Sequence, residues 1–175
     1  MILKLSKAEL SELKKVLNSK VLNNIKDLDV DIIHNISARL GDSKSVILYV
    51  DGAADLHTKT AGIGGVFYRN GDELFSFSKF IGSATNNEAE YSALIKGLEE
   101  SLRLNISNIE IFADSELVVK QINGEYKVKN ERMQRLHHKA TGLLSKFISW
   151  SLNHISREKN SVADKLSKDG MRSKK

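Results

Sequence analysis

The chain has 175 residues, 41% of them hydrophobic, a formal net charge of +5 and a pI near 9.3. That suffices for one domain plus an appendage, with a real core and a mild preference for polyanionic partners. Cysteine is absent, which excludes disulfides and thiolate-metal sites. No apolar run approaches membrane-spanning length and the N-terminus has no signal-peptide pattern, so a soluble, cytoplasmic protein with no membrane partner is expected.

Residues 1–44 read as a separate helical N-terminal extension. Ser6-Lys7-Ala8-Glu9 fits a capping box, and Leu10, Leu13, Leu17, Val21 and Ile25 follow at helical spacing. A second helical piece covers Ile32 to Leu40, with Gly41 as its stop. Such an extension either packs on the main domain or another copy of the chain, or docks nucleic acid or protein. Its scarcity of aromatic side chains weighs against stacking on bases.

The pattern changes at Ser45. Val46-Ile47-Leu48-Tyr49-Val50 is a continuous apolar run, the mark of a central strand buried on both faces, and Asp51-Gly52 closes it. A polar loop, Ala53 to Thr60, leads to a second strand over Gly62 to Tyr68. Asn70-Gly71 signals a two-residue hairpin, and the alternating stretch Glu73 to Ile81 is a third strand, at an edge. Thr85-Asn86-Asn87 supplies capping side chains for a long helix, Glu88 to Leu104. A fourth strand, Asn108 to Asp114, precedes a short helix, Ser115 to Ile122, stopped near Asn123-Gly124. A further helix covers Asn130 to Phe147, a fifth strand Trp150 to Ile155, and a last helix Ser161 to Lys168, ending near Gly170. Met171 to Lys175 reads as a basic, mobile tail. The order βββαβααβα implies an α/β domain over 45–170, a mixed sheet with helices on both faces.

Asp114 ends its strand much as Asp51 ends the first. A right-handed crossover through the long helix would set those strands side by side and parallel, ~4.8 Å apart, with both carboxylates at one carboxyl edge. Glu90 recurs with Leu94, Leu98 and Leu102 every fourth residue and so faces the sheet, whereas Glu88 falls on another face, toward water. Asp164, in the first turn of the last helix, starts from the same edge. Alone it would be a charge stabilising the helix dipole; together, acids converging on one edge point to metal. An all-carboxylate set suits Mg²⁺ or Mn²⁺ rather than Zn²⁺, and two such ions ~4 Å apart can activate a water and stabilise the leaving oxygen of a phosphodiester.

At these residues the sequence resembles type 1 ribonuclease H. The motifs are Asp51-Gly52, Thr85-Asn86-Asn87-Glu88-Ala89-Glu90-Tyr91, Ala113-Asp114-Ser115 and His154 through Asp164. The resemblance covers about residues 45–170 and implies the ribonuclease H fold, with strand order 3-2-1-4-5, and two-Mg²⁺ cleavage of RNA paired to DNA. It implies metal-ligand roles for Asp51, Glu90, Asp114 and Asp164. It further implies minor-groove and 2′-hydroxyl contacts for Asn86 and Asn87, a backbone contact to RNA at Gly52, a DNA-phosphate contact at Thr85 and a hybrid contact at Ser115. The loop after Asp51 departs from the family's Gly-Asn-Pro-Gly, and Glu116 stands where many members have glutamine. A single helix between Gly124 and Trp150 matches the compact forms, without the basic handle of some bacterial members.

His154, ten residues before Asp164, is the candidate for assisting proton transfer or product release; otherwise it is a strand histidine, buried or hydrogen-bonded beside Leu152 and Ile155. Arg157 could serve instead, or be a solvated charge. His137 and His138 read as surface residues. Lys127, Lys129, Arg132, Arg135 and Lys139 either track hybrid phosphates or form a solvated helix face. The alternative to an endoribonuclease is a catalytically weak or inactive nucleic-acid binder on the same fold, and recombinase-type chemistry fits the Thr-Asn-Asn cluster less well.

Overall fold

A computed structural model of the chain describes residues 46–173. The helical extension expected over 1–44 lies outside the described residues, as do Lys174 and Lys175. The elements are β1 (Val46–Asp55), β2 (Thr60–Arg69), β3 (Asp72–Gly82), α1 (Asn86–Arg103), β4 (Asn108–Ala113), α2 (Glu116–Ile122), α3 (Glu131–Leu144), β5 (Ser149–His154) and α4 (Ser161–Arg172). A 3-10 turn, Arg157–Asn160, leads into α4.

The strands form one mixed sheet in the order β3-β2-β1-β4-β5, as the resemblance implies. β1, β2 and β3 pair antiparallel as a meander. Asn70 and Gly71 both take positive φ, 59° and 93°, the two-residue turn whose twist matches the flanking strands. β4 pairs parallel to β1, and β5 to β4, each reached through helical crossovers.

Side chains alternate along β1. Val46, Leu48 and Val50 are buried against α1, whose Gly97 sits directly on Leu48 and Val50. Leu94, Leu98, Tyr91, Phe67 and Ile111 complete that core. On the opposite face lie Ile47 and Tyr49, only half-buried, with Tyr49 stacked on Phe112 and edge-on to Tyr68. The expectation that the first strand is buried on both faces therefore holds for one face; on the other, α4 packs over β3, β2 and the part of β1 around Asp51.

Three boundaries differ from the sequence reading. β1 does not end at Asp51: it runs on to Asp55, pairing with β2 as far as Thr60, so the expected polar loop shrinks to residues 56–59. Antiparallel pairing carries Ala53 and Ala54 into the ladder although neither favours a strand by itself. The helix expected to reach Phe147 stops at Leu144, because the chain must turn to pair Ser149 with Asn108; Phe147 stays buried outside the helix. The last helix passes through Gly170 and ends at Arg172, which absorbs the start of the expected tail. Gly170 is there for close packing rather than as a stop: a Cβ on it would lie 2.7 Å from the backbone nitrogen of Lys79. No helix among the described residues is long and apolar enough to cross a membrane.

Candidate metal centre

The last parallel pair between β1 and β4 is Val50 with Ala113. Asp51 and Asp114 follow at once, side by side where the parallel ladder gives out. Asp51 continues pairing with Gly64 on β2 only, so the carboxyl edge is made by β4 stopping rather than by β1. α1 begins over the same spot. The Thr85 hydroxyl accepts the Glu88 N–H, and the Glu88 carboxylate accepts the Thr85 N–H at 2.8 Å. That capping box occupies Glu88, which is also within 3.8 Å of Arg132 rather than free in water.

Glu90, in the stripe with Leu94 and Leu98, turns to β1 instead, and its Oε2 accepts the Gly52 N–H at 3.3 Å. The two backbones nearly touch: a Cβ on Gly52 would lie 2.2 Å from the Ala89 carbonyl carbon, so no other residue fits. One carboxylate oxygen from each of Asp51, Glu90 and Asp114 lies within 4.8 Å of the others.

Such proximity is costly for charged groups. Burial pushes the Asp51 carboxyl up to about 6, reinforced by Asp114 and Asp164 and opposed by a hydrogen bond from Ser167. Glu90 is pushed up to about 9, first by burial and then by Asp51 and Asp114, with the Gly52 N–H and Arg157 acting against. A divalent cation would reverse that balance. Three oxygen donors, converging and short of positive charge, suit a hard ion.

Asp164 is not among the oxygens that meet within 4.8 Å, although its charge is felt at Asp51. Arg157 donates to its Oδ1 from Nε at 3.0 Å and from Nη2 at 2.6 Å, and Lys168 Nζ donates to Oδ2 at 2.6 Å. Burial works to raise its carboxyl, but the bonds from Lys168 and Arg157 outweigh it and hold it below the usual range. The expected convergence of four acids is therefore three acids together and one paired with cations.

The remaining candidates surround the triad. Asn86 Oδ1 accepts the Ala54 N–H at 3.0 Å, tying the start of α1 to β1. Asn87 is exposed beside it. Ser115 caps α2, accepting the Val118 N–H at 3.5 Å. His154 ends β5 opposite Ala113 and is exposed, which rules out the reading as a buried strand residue. His137 is less free than a surface reading implies: its Nε2 lies 3.2 Å from the Gln121 carbonyl. In the basic run, Lys139 pairs with Glu99 at 2.8 Å and Arg132 with Glu88, while Lys127, Lys129 and Arg135 are exposed.

Two buried polar residues beside the triad escaped the sequence reading. Asn160 is 1% exposed and its Nδ2 lies 2.9 Å from both the Val50 carbonyl and Asp114 Oδ1. Ser167 is fully buried; its hydroxyl pairs with Asp51 Oδ2 and with the Asp164 carbonyl. Ser167 recurs on the helical face of Asp164 three residues on, a signal that was there to be read. No local pattern in the sequence singles out Asn160.

Residues 49–170 match the protein family described as Reverse transcriptase-like. Ribonuclease HI of Halobacterium salinarum is 36% identical over 124 residues, 70% of this chain and 62% of that protein. The crystal structure of RNase H1 from that archaeon superposes with a TM-score of 0.71 at 34% identity, covering 74% of this chain and 99% of that one. LC11-RNase H1, solved in complex with an RNA/DNA hybrid, gives a TM-score of 0.68 at 36% identity over 73% of this chain and 97% of that one. The bifunctional protein Rv2228c of Mycobacterium tuberculosis is 34% identical over 128 residues, 72% of this chain but 35% of its own length. The chain thus spans about a third to three fifths of the length of these curated relatives. Its strand order, its carboxylate cluster and these likenesses agree, and the chain belongs to the type 1 ribonuclease H family.

Proposed function

We propose that the protein is an endoribonuclease that hydrolyses the RNA strand of RNA/DNA hybrids, leaving 5′-phosphate and 3′-hydroxyl ends. The observation that carries this reading is the meeting of Asp51, Glu90 and Asp114 oxygens within 4.8 Å at the carboxyl edge, beside the Asn86–Asn87 rim of α1. The likeness to an RNase H1 solved with a hybrid supports the substrate class.

In this reading Asp51, Glu90 and Asp114, together with Asp164, would hold two Mg²⁺ ions, or Mn²⁺, which when bound would supply activation of the attacking water and compensation of charge on the leaving oxygen. The chain's own groups do the rest. The Asn86 amide nitrogen and the Asn87 carboxamide offer donors toward the minor groove and 2′-hydroxyls, the feature that distinguishes RNA from DNA. Gly52 offers its backbone to the RNA strand, Thr85 and Ser115 line the duplex path, and Lys127, Lys129 and Arg135 meet phosphates. His154, exposed at the end of β5, moves a proton or helps product leave.

The test is cleavage of labelled hybrid, duplex DNA and duplex RNA with Mg²⁺. Hybrid alone should be cut, and Asp114→Asn should abolish cutting with the fold intact; equal activity in that variant would sink the assignment. A second reading, a binder without turnover, draws on the pairing of Asp164 with Arg157 and Lys168. Hybrid binding without metal-dependent cleavage would favour it.

A further inference from the structure

Asn160 occupies the N-cap position of α4, yet its side chain makes no capping hydrogen bond. An asparagine there ordinarily accepts a backbone N–H of the first turn. Here both hydrogens of Nδ2 go elsewhere, one to the Val50 carbonyl and one to Asp114 Oδ1, each at 2.9 Å. Flipping the amide would set its oxygen against two acceptors, so the orientation is fixed by its partners. Asn160 Oδ1 is buried and finds no hydrogen-bond partner among the described residues. The amide is thus committed to the two strand ends rather than to the helix it begins.

The place of that amide matters. The parallel ladder of β1 and β4 ends at Val50 and Ala113, so the Asp51 and Asp114 carboxylates project just beyond its last pair. Asn160 spans the two strand ends there, donating to the last β1 carbonyl before Asp51 and to the Asp114 carboxylate. Two turns further along the same helix, Ser167 donates to Asp51 Oδ2 and is as deeply buried. The helix is seated closely enough to do this because β2 is glycine-rich beneath it: a Cβ on Gly64 would lie 2.4 Å from the Ser167 nitrogen.

We propose that Asn160, with Ser167 as its second point, is a positioning residue that fixes the spacing and orientation of the Asp51 and Asp114 carboxylates for metal. α4 then contributes to the site through two buried donors as well as through Asp164. This rests on the reading of Asp51 and Asp114 as metal ligands. Groups that hold metal ligands in place affect metal affinity or activity by about 10- to 100-fold when removed.

The experiment uses the full chain and three readouts: the Mg²⁺ concentration giving half-maximal hybrid cleavage, the rise in melting temperature with Mg²⁺ alone, and hybrid affinity without metal. Asn160→Ala should raise the half-maximal Mg²⁺ by ~10-fold or more and shift the Mg²⁺ dependence of melting by a similar factor, with hybrid affinity within about twofold. Asn160→Asp, which replaces the donors with a fourth carboxylate beside the triad, should do worse. Ser167→Ala, a small change, should move the Mg²⁺ midpoint in the same direction by several-fold. Unchanged midpoints in Asn160→Ala overturn the proposal; if that variant does not fold, an unchanged midpoint in Ser167→Ala overturns it. Asp114→Asn separates the two readings. Should the unaltered protein and Asp114→Asn respond to Mg²⁺ alike, the metal-ligand reading itself fails; should they differ while Asn160→Ala and Ser167→Ala match the unaltered protein, only the positioning role fails.

Discussion

Two sets of carboxylates share one edge of this sheet and are in opposite electrostatic states. Asp51 is buried and Glu90 half-buried beside Asp114, with no lysine or arginine bonded to them among the described residues, and their carboxyls are pushed up to about 6 and about 9. Asp164, one helix turn into α4, is bonded to Arg157 and Lys168 and held below its usual range. The residue types are nearly the same; the surroundings differ. A triad with no cation bonded to it among the described residues favours binding one, whereas a paired acid has met that demand from its own chain. In the proposed function Asp164 must therefore exchange its protein cations for metal, while the triad has none to give up.

The largest effect expected is on the triad itself. Asp114→Asn or Glu90→Gln should lower kcat on hybrid by about 10³-fold or more, roughly 4 kcal/mol of transition-state stabilisation. Single-turnover cleavage measures this, and a loss under tenfold would break the distinction drawn here.

Metal-free stability should come next. Both carboxyls are raised in the folded protein, so the folded state binds more protons than the unfolded one. Their contribution is full below the unfolded values, 3.8 for Asp51 and 4.5 for Glu90, and is lost as pH rises through about 6 and about 9. Melting without metal should weaken from pH 4 to pH 9 by a few kcal/mol, to order of magnitude. Mg²⁺ should restore stability by mass action, more at high pH than at low. Glu90→Gln should flatten the upper half of that slope. A metal-free melting temperature that does not fall with pH would contradict the triad's uncompensated state.

His154 belongs to neither set, being exposed at the end of β5 opposite Ala113. His154→Ala should lower turnover by ~10²-fold while leaving hybrid affinity nearly unchanged. Full activity would leave the proton to other groups.

The smallest effect should come from freeing Asp164. Lys168→Ala removes a partly exposed cation, so its direct cost in stability should be under about 1 kcal/mol. With one competitor gone, half-maximal Mg²⁺ should fall by about two- to threefold. No change, or a rise, would indicate that Asp164 keeps its pairing and does not reach the metals.

The sequence by itself determined the central strand, the Asn70-Gly71 hairpin, the choice of Glu90 over Glu88 and the juxtaposition of Asp51 with Asp114. Each rests on a local signal: an apolar run, a turn dipeptide, a four-residue stripe, a strand end. Only the tertiary structure decided that β1 continues to Asp55, that α4 passes through Gly170, that Asp164 is ion-paired, and that Asn160 and Ser167 hold the site. Those depend on what lies across the sheet. The Asn160–Val50 and Ser167–Asp51 bonds join residues 110 and 116 positions apart, and β2's glycines have a purpose only once a helix lies on them. Local patterns encode which face is apolar and where a turn is permitted; which buried carbonyl or carboxylate receives a given donor is set when distant segments pack.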